Sequence, residues 1–206
     1  RYNYVYIATT TLMMDSQLPP KEVPPDLSAR EYFELGKQYK AIGWIGHSRK
    51  SLQRAMECDE NGAIAQKALT FLKTRLPLKE VPQEAVAANI EGYNNMLTNP
   101  KGAKQIWWRL TEEYPDFEWP FSNLASLILN EGEINEAKKL LEQAIQLNPC
   151  YINALLHLAN CHAIQMDYTK AISYIDRILE LEPENEQALT QKETITKVAK
   201  LTGQGD

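Results

Sequence analysis

The chain has 206 residues, 44% of them hydrophobic and 24% charged, which is enough apolar surface to bury a core and too much for intrinsic disorder. Its 22 basic residues against 27 acidic ones leave a net charge of −5, and the cations are dispersed, so the cationic face that neutralises phosphates is missing and nucleic-acid binding is a poor fit. Cys58, Cys150 and Cys161 are too few and too irregular for a disulfide framework, and no run of about 18 apolar residues offers a membrane span. These features fit a reducing cytoplasm, with membrane tethering only if an anchor precedes Arg1.

In chain order, residues 1–17 come first. Tyr2, Tyr4, Val5, Tyr6, Ile7 and three consecutive threonines have strand propensity and no helical period, which predicts an extended arm docked on its own chain or on a second copy. Residues 18–28 form a proline-rich lead-in, and Leu18-Pro19-Pro20-Lys21-Glu22-Val23-Pro24 recurs as Leu76-Pro77-Leu78-Lys79-Glu80-Val81-Pro82. The second copy marks an extended, stiff joint at 77–83. Between the two copies, residues 29–76 are expected to be a helix pair followed by a single covering helix.

Beyond the joint a period of 34 residues takes over. Pro115, Pro149 and Pro183 share it with Ala103, Ala137 and Ala171 and with Trp107, Leu141 and Ile175. Within residues 118–151, Phe121, Leu124, Ala125 and Ile128 line one helix face, and Ala137, Leu140, Leu141, Ala144 and Ile145 line a second. Gly132 supplies the turn between them, and Asn148-Pro149 ends the second helix. Such pairs bury their apolar stripes only by stacking, which predicts three units (84–117, 118–151, 152–185), a capping helix at 186–201 and a tail at 202–206.

This pattern resembles the tetratricopeptide repeat. Phe121, Leu124, Ala125, Ile128, Gly132, Ala137, Ala144 and Pro149 occupy that family's places in frame, and Leu155, Leu158, Ala159, Ala171 and Pro183 repeat most of them. Tyr32, Leu35, Gly36, Tyr39, Gly43, Ser48, Leu52 and Ala55 extend the likeness to 29–62, with Glu60 where the closing proline belongs. In the unit 84–117, Glu91 stands at the small position with Gly92 beside it, so the first helix there is expected to be slipped by one residue. The resemblance implies an all-α, right-handed superhelical solenoid of antiparallel helix pairs with a concave groove.

It further implies that the first helix of each pair lines that groove at unit positions 2, 5, 6, 9, 12 and 13. Position 6 reads Asn89, Asn123, His157 and Gln191, joined by Trp119, Ser122, Ser126, Asn130, Asn153 and Asn160. Amide side chains can satisfy both the N–H and the C=O groups of an extended peptide, so the expected partner is a protein segment and the expected role a non-enzymatic scaffold or adaptor. Asparagine at position 6 also serves in this family to tie neighbouring helices, and both roles stay open. Family members that grip chaperone carboxylates place cations where this chain has Ala88, Gly92, Asn153 and His157, so a dicarboxylate clamp is not expected. The alternative function is self-association or autoinhibition through the arm.

No cofactor is expected. His157 and Cys161 lie four apart on one helix but lack the further ligands a metal needs, and His47 has no nucleophile nearby in sequence. No phosphate-binding, dinucleotide-binding or nucleophile-elbow motif occurs. Of the pair Trp107-Trp108, the first belongs to the core ladder. The second either marks an outward contact surface or, the commoner outcome, is buried against the next helix.

Overall fold

The computed structural model describes residues 18–203, which form ten helices and no strand. The proposed arm falls outside the described residues. The helices are α1 (Ala29–Ala41), α2 (Ile45–Cys58), α3 (Ala63–Arg75), α4 (Gln83–Asn95), α5 (Pro100–Glu113), α6 (Glu118–Asn130), α7 (Ile134–Leu147), α8 (Ile152–Ile164), α9 (Tyr168–Leu181) and α10 (Glu186–Leu201). Each successive pair from α4 onward packs on the next, giving the solenoid. None of these helices is long and apolar enough to cross a membrane.

The paired helices are cut to length by their turns. Gly43 (φ 80°), Gly132 (φ 87°) and Met166 (φ 62°) occupy the same place in their units, where a left-handed residue reverses the chain within three residues. In the unit 84–117 that place is Thr98, which does not adopt the conformation. The connection there has four residues, and α4 begins and ends one residue early relative to α6 and α8, while α5 stays in frame with α7 and α9. Asn99 then caps α5 by accepting from the Gly102 amide, with Pro100 at the first helical position. The slip turns Val86, Asn89 and Gly92 inward and leaves Glu91 exposed.

One continuous core runs from Tyr32 to Cys161, and a second, from Ile152 to Ala199, lies among α8, α9 and α10. Trp107 is fully buried, but Trp108, 100° further round α5, is 47% exposed among Lys101, Lys104, Gln105, Arg109 and Glu112 beside a shallow depression of about 430 Å³. The outward reading of Trp108 therefore holds over burial. His162 stands where the repeat expects an aromatic or aliphatic side chain. It is buried with Nδ1 3.2 Å from Asp167 Oδ2, and Asp167 Oδ1 caps α9.

At α10 the positions that pack on a second helix in the other units carry Leu189, Lys192, Glu193 and Thr196. Lys192 pairs with Asp176 (2.7 Å) and Lys197 with Glu193 (2.6 Å) on this face.

The α1–α3 unit does not continue the stack, since no helix in it packs lengthwise on α4–α10. Its lead-in is strapped down by hydroxyls. Tyr39 donates to the Pro20 and Glu22 carbonyls (2.8 and 3.1 Å), and Tyr32 donates to Pro24 (3.0 Å). His47 joins them, donating from Nε2 to the Lys21 carbonyl (3.0 Å). At the joint, Leu76 and Pro77 are buried and the Leu78 amide donates to Glu118 Oε1 (3.0 Å).

Candidate functional site

The first helices α4, α6 and α8, with α10, present the residues singled out from the sequence. They fall into two groups. Asn89 is 4% exposed, its Oδ1 accepts from Asn123 Nδ2 (2.9 Å), and its backbone carbonyl accepts from Trp107 Nε1 (3.2 Å). The one-residue slip of α4 aims Asn89 at the next helix instead of at solvent. Trp119 is 7% exposed, packed against Phe117 and with Lys40 Nζ 5.6 Å from its ring, and Ser122 is buried beside Tyr151. These three side chains are out of a ligand's reach in this conformation.

The second group is open. Asn130, Asn153 and Asn160 are exposed, and Ser126, His157, Gln191 and the outer side of Asn123 are partly so. Gln191 Nε2 donates to the Leu156 carbonyl at 3.4 Å, which orients the amide. His157 keeps some exposure but is crowded by its neighbours, and burial pushes its imidazole down to about 4, so it is neutral at physiological pH. The open lining thus carries hydrogen-bonding groups and no fixed charge. Cys161, one turn beyond His157, is fully buried with its thiol pushed up to about 11, and so holds its proton. Among the described residues, no three His, Cys, Asp or Glu side chains gather as a metal site.

Sequence reasoning missed a polar seam between the α1–α3 unit and the stack. Glu118 is fully buried; its Oε1 accepts from the Leu78 amide and from Asn148 Nδ2 (2.9 Å), while Oε2 has no partner. Burial raises its carboxyl above the ordinary range, opposed by the Asn148 bond and by Arg49. Asn148 Nδ2 also reaches the Lys73 carbonyl (3.2 Å). Arg75 grips Glu182 through Nη2 (2.6 Å) and Nε (3.2 Å), with Thr74 Oγ1 donating to the same carboxylate (3.0 Å). Lys79 pairs with Asp116 (2.8 Å), and the Lys40 ammonium is pushed down by burial and by Arg75. The repeat holds one hint of the seam: Asn148 and Glu182 lie 34 residues apart. Their partners in α3 lie outside the period and carry no such mark.

A family model described as tetratricopeptide repeat matches residues 129–192. Over 81 residues the chain is 33% identical to uncharacterized protein ycf37 of Pyropia yezoensis, a match covering 39% of this chain and 46% of that protein. Over 62 residues it is 39% identical to tetratricopeptide repeat protein 17 of Danio rerio, covering 30% of this chain and 5% of that protein. The chain therefore spans less than half the length of these relatives. Among solved structures, the first TPR domain of Spaghetti (RPAP3) bound to the HSP90 peptide SRMEEVD superposes with a TM-score of 0.53 at 20% identity, covering 57% of this chain and 94% of that domain. At that identity the likeness is one of fold.

Proposed function

We propose that this chain, whose residues 129–192 match the tetratricopeptide repeat, is a non-enzymatic scaffold that holds an extended, uncharged segment of a protein partner along the open part of its concave surface. The observation that carries this reading is the exposure of Asn130, Asn153 and Asn160 on two consecutive first helices, together with partly exposed Ser126, His157 and Gln191. Such groups recognise a peptide backbone more than its side chains, so selectivity falls to the neighbouring exposed apolar Ile164. The related domain is bound to a peptide ending in Glu-Glu-Val-Asp. Here the positions that would meet such carboxylates hold neutral His157 and Asn153, while Gly92 faces Trp107, so acidic chain ends are poor candidates.

The test is a peptide array probed with the full chain, followed by titration of the binders with an Asn153→Ala, His157→Ala, Asn160→Ala variant. Each lost hydrogen bond should weaken binding by about 1 kcal/mol, and raising the salt should change little, since no charges meet. Unaltered affinity in the triple variant would remove the groove assignment.

A further inference from the structure

The α1–α3 unit touches the stack near the starts of four first helices. At α4, Gln83 Nε2 donates to the Gly43 carbonyl (2.9 Å), and Ile90 Cδ1 fills the space that a Cβ on Gly43 would need. At α6, Lys40 lies over Trp119. Just before α8, Asn148 bonds the Lys73 carbonyl, and just before α10, Glu182 receives Arg75 and Thr74. A repeat array is held by contacts between nearest neighbours, so an element that reaches three consecutive units supplies something stacking does not require.

Burial along the first helices follows this reach. At unit positions 2 and 5, α6 presents Trp119 and Ser122, both buried. The equivalents in α8 are Asn153, exposed, and Leu156, buried; in α10 they are Gln187 and Thr190, both exposed. The groove is thus covered at its near end and opens toward its far end. Tyr32, Ile45, Leu52 and Leu76 share an apolar core with the stack, but the contacts that reach furthest along it, at Asn148 and Glu182, are a single amide bond and an ion pair, the type that permits local parting.

We infer that the α1–α3 unit is an intramolecular occupant of the concave surface, latched by Arg75 to Glu182, and that the length of groove open to a partner depends on this latch. When it is closed, a partner has the stretch from Ser126 to Gln191. When it opens, Trp119 becomes available and the groove accepts a longer segment with an apolar anchor for the indole. The functional consequence rests on the groove being the binding face, but the cover itself can be tested without any ligand.

Cys150 is the reporter. It is partly buried in the connection between α7 and α8, two residues from Asn148, and its amide donates to Asn148 Oδ1 (3.0 Å). In a Cys58→Ser background of the whole chain, Arg75→Ala and Glu182→Ala should each speed thiol labelling of Cys150 roughly two- to fivefold, the gain expected from breaking one partly exposed charged contact. Hydrogen exchange over 118–126 should rise with it, and the exchange Arg75→Glu with Glu182→Arg should return both toward the parent rates. Cys161, fully buried, reports global unfolding in the same samples. Should a single variant expose Cys161, Thr74→Val, which removes one bond to Glu182 and keeps the ion pair, is judged by the same two rates. Parent rates at Cys150 and over 118–126 in variants that keep Cys161 protected would overturn the inference. If those rates rise and no peptide binds, the cover stands and the groove reading fails.

Discussion

Asn123 donates from Nδ2 to Asn89 Oδ1 at 2.9 Å, across a separation of one whole repeat. The bond ties α6 to α4, while Trp107 ties α5 to the backbone of the same Asn89. Asn123→Ala strands a buried acceptor and should cost about 1–3 kcal/mol in urea unfolding. The double change Asn89→Ala, Asn123→Ala should cost clearly less than the sum of the two single changes. Strict additivity would show that this rung contributes nothing of its own.

Met166 holds a left-handed conformation where Gly43 and Gly132 stand in two other units, and its side chain is exposed. Met166→Gly relieves that backbone cost, about 1 kcal/mol, but makes the unfolded chain more flexible. A net gain of a few tenths to about 1 kcal/mol is expected in thermal melts. A loss of stability would mean that the Met166 side chain makes a contact outweighing the strain.

Glu118 is buried with its carboxyl raised above the ordinary value. The folded chain therefore binds this proton more readily than the unfolded chain does. Its contribution is greatest below the ordinary carboxylate range and is lost as pH rises through the raised value. Glu118→Gln keeps an oxygen for the Leu78 and Asn148 donors and carries no charge, so it should flatten that slope and be at least as stable as the parent at neutral pH. Chemical denaturation at several pH values decides it, and a less stable Gln variant at pH 7 would show that the charge is wanted.

His157 behaves in the opposite direction. Its folded value of about 4 lies below the ordinary 6.5, so below pH 6.5 the unfolded chain takes up the proton first. Stability should fall as pH drops from about 6.5 to about 4 and level off below. His157→Gln should lose this part of the slope, whereas peptide affinity of the parent should stay constant above about pH 6. An NMR titration midpoint near 6.5 in the folded protein would contradict the burial argument.

The stack was legible because a 34-residue period is written in side chains that meet one another, such as Ala103, Ala137 and Ala171, all fully buried. Even the slip of α4 was visible in Glu91-Gly92, although its cause is Thr98, which cannot cheaply make the turn that Gly132 makes. The groove was half legible. Unit positions say which way a side chain leaves its helix but not what lies over it, so Trp119 and Ser122 read as open when Trp119 has Lys40 of the first unit over its ring and Ser122 is buried beside Tyr151. Arg75 and Glu182 are 107 residues apart and belong to no common pattern, and only the folded chain brings them together.

The outward side of α10 bears on self-assembly. A neighbouring copy that tried to lay its own helix there, in register, would have to strip water from Lys192, Glu193 and Lys197 and break the pairs they make with Asp176 and with each other. The charge on this face opposes the docking of a further copy's helix there even at high concentration.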